Sequence, residues 1–485
     1  MIPTRASKAT TIGMIVLSLA WSSGPTLATC GGGGGGGVGG TRMGGSSQSD
    51  AESYHVAWTV VGPAEVVPGG TLAVLWFPSS AAEAKGSSLL TSRTLSVLSA
   101  RCMALALVTP DNAAVRQKYG IQDLASGVVL VDGDSNEIAR IPADGKPPTA
   151  GPVEKIVDAE LDKREDAAKA SLDAANEKIK QNDIDSATPM LTQIWEQHCL
   201  LPDVAKKAAK ALKKIGHPVD VGQLKMLDNP MPDLSAATTK EIVRTMNAGL
   251  AAERDGQILE ARRLYTTAMR IDPADPTPVR FLGELLRHEI GDWVEARAMF
   301  NRVLDMPADP LARAVALHGL GKMTIHDGRF AEGLDLFQRS LSAYPLPLTY
   351  RNLAVYWNSE KNHEKAHAYV QQAIALDPDD EYNQIFAATY FVELGRPDEA
   401  RGVALRFAGM LPSSYNLAVI HAQLGDKTKA LSLLRRHFTV YEKFDAVRAK
   451  EMQEARDDVA FASLQSDPEF VTMTAKADRD AANHR

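Results

Sequence analysis

An apolar run, Leu72 to Phe77, ends at Pro78 and gives way to Ser79, Ser80, Ala81, Ala82 and Glu83. A strand that runs into a helix N-terminus is a place where the helix dipole lowers a thiol's pKa. Two cysteines two residues apart there would exchange disulfides. Here hydroxyls and a carboxylate stand instead, and neither Ser80 nor Glu83 can form a disulfide. A second candidate is "HEKAH", where His363 and His367 lie four apart with Glu364 between them. One helix face could offer both imidazoles to zinc, but no third ligand is near in sequence, and Ala366 has the spacing of a packing residue. Three cysteines complete the reactive inventory: Cys30, Cys102 and Cys199. No pair has metal-ligand or redox spacing. Cys102 reads as the entry to a buried strand and Cys199 as a helix end, so both read as buried structural thiols. A disulfide between them is open to an exported protein. Lys206, Lys207, Lys210, Lys213 and Lys214 suggest a nucleic-acid patch, yet Val204, Ala208, Ala211 and Leu212 take the opposite face, so the lysines read as its solvated side. No glycine-rich loop followed by Lys-Ser or Lys-Thr follows a strand, so no phosphate cradle is expected. The reading is of no catalytic residue, no metal and no cofactor: not an enzyme.

Composition agrees with that frame. The chain has 485 residues and a net charge of −7, so it carries no electrostatic footprint for nucleic acid. Aromatics are only 6%, which leans towards Ala- and Leu-rich helices. The N-terminus reads as targeting rather than fold. Arg5 and Lys8 precede the apolar Thr11 to Trp21, too short to span a bilayer comfortably. "LATC", Leu27 to Cys30, resembles a bacterial lipobox, with Thr29 where Gly, Ala or Ser is usual. The resemblance implies cleavage before Cys30 and lipidation of its thiol, hence a membrane anchor in the cell envelope. Ordinary cleavage after Ala28, giving a periplasmic or secreted chain, is the alternative. The following Gly31 to Gly37 and their neighbours offer no apolar surface. About 20 residues of such chain make a tether with a reach of about 25 Å.

From Tyr54 to Leu161 the order reads strand, helix, strand, helix, two-strand hairpin, helix. The hairpin signal is Asp132–Gly133, and Asp111 is a plausible N-cap for the helix that stops at Gly120. "AAVRQKYGIQDLASGVVLVDGDSNEIARI" resembles the thioredoxin fold. That resemblance implies a redox site at the Ser80 and Glu83 positions and a cis-proline before the hairpin. Ala125 and Ser126 stand at the latter place, so both halves of the redox site are missing. After Leu161 the pattern is helical, with a Pro- and Gly-rich linker over Gly216 to Ala236.

Beyond the linker a repeat dominates. A small residue early in each second helix falls at Ala261, Ala296, Gly333, Ala366, Ala400 and Ala430, spaced 35, 37, 33, 34 and 30 apart. This is the tetratricopeptide period of about 34 residues. The first helices carry small pairs such as Leu320–Gly321, Leu353–Ala354 and Leu417–Ala418. The second carry a bulky residue, Tyr265, Phe300 or Phe337, and end at proline. Resemblance to this family implies a concave groove lined by the first helices, which takes a protein or peptide. By spacing the groove residues are Arg280, Arg287, His318, Lys322, Arg351, Asn352, Asn358, Tyr415 and Asn416. Asn352 and Asn416 match an asparagine that can hold an extended peptide backbone, and Arg351 is expected to stand accessible.

The expected architecture is an α/β thioredoxin-like domain followed by an all-α solenoid. Its divisions are a signal peptide over 1–29, a tether over 30–53, the α/β domain over 54–161, a helical connector and linker over 162–236, and the array with capping helices over 237–485. The expected function is an exported, tethered interaction scaffold. A thiol or envelope-biogenesis accessory, whose α/β domain binds a substrate, is the alternative.

Overall fold

The computed structural model describes residues 53–475 except 64, 123–124, 143–145, 221–229 and 443. The expected signal peptide, Cys30 and the body of the tether lie outside the described residues.

The first unit is a mixed sheet with helices on both faces. Its strands are β1 (Thr59–Val61), β2 (Leu72–Phe77), β3 (Met103–Val108), β4 (Gly127–Asp132) and β5 (Glu137–Ile141), in the spatial order β1-β3-β2-β4-β5. β3 runs parallel to β1 and β2; β4 is antiparallel to β2, and β5 to β4. β2 is central and every one of its residues is buried, which is why it reads as an unbroken apolar run rather than an alternating one. Trp76 pairs with Leu107 on one side and Val128 on the other. β1 was not expected, because three residues are too few to show a period. The hairpin differs from expectation in its turn. The Asp132 carboxylate accepts from the backbone N–H groups of Asp134 and Asn136, and Ser135 rather than Gly133 takes the left-handed conformation at φ 63°. The turn is thus an Asx-type loop, not a two-residue one. Three short helices complete this part: α1 (Ala81–Lys85), α2 (Arg93–Ser99) and α3 (Ala113–Lys118). Asn112, not Asp111, caps α3 by accepting from the Val115 N–H.

The expected boundary at 161/162 falls inside one helix. α4 (Ala150–Lys180) has 31 residues and is about 46 Å long at 1.5 Å per residue. With α5 (Ile184–Glu196) and α6 (Pro202–Lys214) it packs Leu172, Leu191, Ile194, Val204 and Leu212 into the same core as Trp58, Trp76, Leu105 and Leu130. The connector is therefore part of the first unit's core. A disulfide closes the same junction: Cys102 and Cys199 are bonded, with Cα atoms 5.7 Å apart. That settles the open reading of both cysteines. Cys102 is exposed and sits at φ 56°, so it is not the buried thiol expected. On α6 the five lysines do face outward, opposite Val204, Ala208 and Leu212.

The array is six antiparallel helix pairs. They are α7 (Ala236–Arg254) with α8 (Ile258–Ile271), α9 (Pro276–Leu285) with α10 (Trp293–Asp305), and α11 (Pro310–His326) with α12 (Phe330–Ala343). Then come α13 (Pro347–Ser359) with α14 (His363–Leu376), α15 (Glu381–Phe391) with α16 (Pro397–Arg406), and α17 (Ser414–Gln423) with α18 (Lys427–Arg436). α19 (Asp445–Asp457) and α20 (Pro468–Thr474) close the end. The small positions are needed for contact. A methyl group added at Gly249 would stand 2.6 Å from the Tyr265 ring, and one at Gly321 2.8 Å from Phe337. Each unit leaves an apolar face that only the next unit buries. Among the described residues no helix is long and apolar enough to cross a membrane.

Candidate functional site

The junction after β2 is closed by its own side chains. Ser80 caps α1, accepting from the Glu83 N–H at 3.2 Å. The Glu83 carboxylate accepts from the Ser79 N–H at 3.0 Å, from the Ser79 hydroxyl at 2.5 Å, and from the Ser126 hydroxyl. The residue at one expected redox position thus bonds the residue at the expected cis-proline position. Buried Arg116 reinforces the same edge, donating to the carbonyls of Pro78, Gln122 and Ala125. A carboxylate can bridge two hydroxyls in this way and fix two loops, but it offers no sulfur to attack.

His363 and His367 have different surroundings. His363 is exposed with Nδ1 3.0 Å from the Asn358 Oδ1, while His367 lies edge-on to the Tyr390 ring at 5.5 Å. Among the described residues no group of three or more His, Cys, Asp or Glu is placed to hold a metal.

The groove candidates fall on the first helices of the units, but in separate clusters. On α9, Arg280 is 2% exposed, stacks 4.3 Å over Phe281, and has no hydrogen-bond partner for Nε or Nη1 among the described residues. Arg287, in a wider turn after α9, donates to Glu284 at 3.0 Å and meets His288. Burial works against the Glu284 charge, yet Arg287 and His288 overcome it and hold the carboxyl down at about 2. His318 on α11 is buried against Phe337 with Nδ1 3.0 Å from the Thr349 hydroxyl. Burial first, then Arg287, push its pKa well below the usual imidazole range, so it is neutral. Lys322 donates to the Asn352 Oδ1 at 3.4 Å, and the Asn352 amide nitrogen lies 3.4 Å from the His318 Nε2. His318, Lys322 and Asn352 therefore form one cluster.

Arg351 is a correction. It is 5% exposed, not accessible: its guanidinium lies over Tyr382 at 4.7 Å, donates to Asn383, and is 3.9 Å from Asp380. The neighbouring unit's aromatic and amide supply the partners that make burial of a charge tolerable. Asn416 donates to the Tyr382 hydroxyl at 3.1 Å and so belongs to the same cluster. Tyr415 turns instead towards the array's end, with its hydroxyl 3.4 Å from Asp458 and its ring edge-on to Phe461. Asn358 stands apart, at the turn beside His363.

A polar seam joins the α/β unit to the array, and it was not read from the sequence. Arg93 of α2 is wholly buried. It donates to Asp275 at 2.8 Å, to Asp272 at 2.6 Å, to the Asp233 carbonyl at 2.8 Å and to the Thr239 hydroxyl at 2.9 Å. The Tyr54 hydroxyl donates to the same Asp275 oxygen at 2.8 Å. Burial opposes the Arg93 charge, but Asp275, Tyr54 and Asp272 outweigh it and hold the guanidinium firmly protonated. Burial, then the Asp275 charge, drive the Tyr54 phenol well above its ordinary value. Lys85 of α1 adds an exposed ion pair with Asp379, 3.6 Å away. "DPADP", Asp272 to Pro276, does announce helix caps, and Asp275 does cap α9 through the Thr277 N–H. That it also binds an arginine 182 residues earlier has no local signal.

With the helix pairs in view, the comparison with known families is direct. A tetratricopeptide repeat family model matches residues 246–313 and 387–438. Those two stretches are tetratricopeptide repeats. Among curated proteins the chain is similar to the cellulose synthase operon protein C of Xanthomonas axonopodis pv. citri, at 26% identity over 271 residues. That match spans 48% of this chain and 18% of the relative. It is also similar to the CTR9 homolog of Arabidopsis thaliana, at 32% identity over 131 residues, 26% of this chain and 12% of that one. The chain thus spans less than a fifth of the length of either relative. Among solved structures, PilF of Pseudomonas aeruginosa matches at 16% identity and a TM-score of 0.31, covering 45% of this chain and 99% of that one.

Proposed function

We propose that this protein is an exported, membrane-tethered scaffold for protein–protein interaction, made of a tetratricopeptide-repeat groove and a non-catalytic thioredoxin-like module. One observation carries the reading. Where redox chemistry would sit, Glu83 ties Ser79 to Ser126, while the array beside it presents first helices that carry amides and aromatics. The strand order β1-β3-β2-β4-β5, with its last two strands antiparallel, supports the thioredoxin-like reading. The groove proposed for the partner is floored by the clusters around His318, Lys322 and Asn352 and around Arg351 and Asn416. Arg280, Arg287, Asn358 and Tyr415 sit at its margins, and the ligand is a protein or an extended peptide. Cys30 carries the lipid, and two or more acyl chains suffice for a firm anchor.

A photo-crosslinking amino acid at position 355, on the exposed side of α13, tests the scaffold. A discrete adduct with another envelope protein supports the reading, and exclusive recovery of the bare chain counts against it. In parallel, Cys30→Ser should release the protein from membranes and abolish palmitate labelling. Insulin reduction above that of a Cys102→Ser control would overturn the non-catalytic part.

A further inference from the structure

The segment Ser53 to Trp58 belongs to no strand, yet Ser53, Tyr54, Val56, Ala57 and Trp58 are all buried. Its side chains divide between two surfaces. Val56 and Trp58 join the core of the α/β unit; the Val56 N–H donates to the Leu90 carbonyl at 2.8 Å and the Trp58 indole to Leu89 at 2.9 Å. The others face the array. Ser53 donates from its N–H at 2.9 Å and its hydroxyl at 2.7 Å to the side-chain oxygen of Asn247 on α7. Tyr54 enters the apolar core shared by α7, α9 and α11 and bonds Asp275 at the start of α9. Burial first, then the nearby charge of Arg280 on α9, lower the His55 pKa to about 4. Ala57 packs in a cluster with Leu311, Ala314 and Val315 of α11 and Leu346 just before α13.

Successive residues therefore meet successive first helices, in order along the array. A side-chain amide holds a backbone N–H, Ser53 and Tyr54 bond the array, and Val56 and Trp58 turn to the α/β core on either side of Ala57. This is how a peptide is held by a repeat groove, and here the peptide is the chain itself. We infer that Ser53–Ala57 is a built-in ligand of the first three repeats, an intramolecular competitor that any foreign peptide must displace to enter that half of the groove. The second half has no such occupant among the described residues: on α13, Val355 is 51% exposed. The inference rests on the groove reading above and deepens it. Arg280, whose charge reaches His55, stands in the occupied half.

The test needs no partner protein. Full-length chains carrying Cys30→Ser, with the Cys102–Cys199 disulfide intact, receive either Ala57→Cys or Val355→Cys and are alkylated with a maleimide. Ala57→Cys should react on the order of 100-fold more slowly, as a segment that reacts only on local opening. Equal rates overturn the inference. A fluorescent peptide of residues 53–58 is then titrated against the unlabelled wild-type chain and against Tyr54→Ser/Ala57→Glu, whose own segment is expelled. The wild type should bind roughly 10-fold to 100-fold more weakly, because its competent state is scarcely populated. Asn247→Ala added to the expelled variant should weaken the peptide again. Equal binding to both chains, or none to the expelled variant with a native circular dichroism spectrum, refutes the competitor. Either result leaves the scaffold reading to the crosslink at position 355.

Discussion

Arg93→Ala tests the seam most sharply. The Arg93 side chain and Asp275 are wholly buried and Asp272 nearly so, and the guanidinium makes four hydrogen bonds, two of them to carboxylates. Among the described residues, truncation leaves Asp275 with only the Tyr54 hydroxyl and the Thr277 N–H as donors. The burial cost of the two charges was offset by the guanidinium, and removing one partner of such a group costs about 3–5 kcal/mol. Ordinary surface changes stay within about 0.5 kcal/mol. The loss falls on the joint between the α/β unit and the array rather than on either core, whose apolar clusters are separate. Urea unfolding followed by tryptophan fluorescence and by far-ultraviolet circular dichroism should show coincident transitions in the wild type. In Arg93→Ala the first transition should move to lower urea and the two probes should separate. Arg93→Met combined with Asp272→Asn and Asp275→Asn should recover much of the loss, since a neutral set carries no orphaned charge. A single variant within about 0.5 kcal/mol of wild type, the range of ordinary surface changes, would refute the reasoning. So would a triple variant no better than Arg93→Ala.

Four further outcomes are expected. Lys361 holds φ 59° at the turn where other units use glycine, such as Gly328 at φ 82°, so Lys361→Gly should raise stability by about 0.5–1 kcal/mol in thermal unfolding. Replacing Cys102 and Cys199 by serine opens a 97-residue link. Chemical denaturation should show a loss of about 2–4 kcal/mol, while the shared apolar core keeps α4 to α6 on the sheet. Burial raises the Glu253 pKa to about 7. The native chain therefore holds a proton that the unfolded chain has lost between roughly pH 4.3 and 7, so this group's contribution is present at low pH and fades as pH rises through 7. Glu253→Gln should flatten that fall in a series of denaturation curves from pH 5 to 8, and identical slopes would count against it. Arg351→Ala should cost about 1–3 kcal/mol, measured by denaturant midpoint, because it removes the guanidinium donor from the buried Asn383 Oδ1 and uncovers Tyr382.

The six helix pairs were legible in the sequence because their cause is local and periodic. Small residues must recur where helices touch, and Gly249 and Gly321 show how little room there is. The central strand was legible for a similar reason: burial on both faces demands an unbroken apolar run, and Leu72 to Phe77 is one. So was the absence of a thiol after that strand, since chemistry of that kind needs cysteine and none stands there. Tertiary structure alone decided the rest. Arg351 looked like a groove residue because helical spacing gives its face but not its cover, and Tyr382 and Asn383 of the next unit provide the cover. Asp275 looked like a helix cap and is one, but no pattern announces that Arg93 and Tyr54 converge on it from 182 and 221 residues away. The disulfide was one open reading until the fold set the two Cα atoms 5.7 Å apart. Local periodicity encodes which faces are apolar; which polar side chains meet across those faces depends on how whole units dock, and single residues far apart in sequence carry no trace of that.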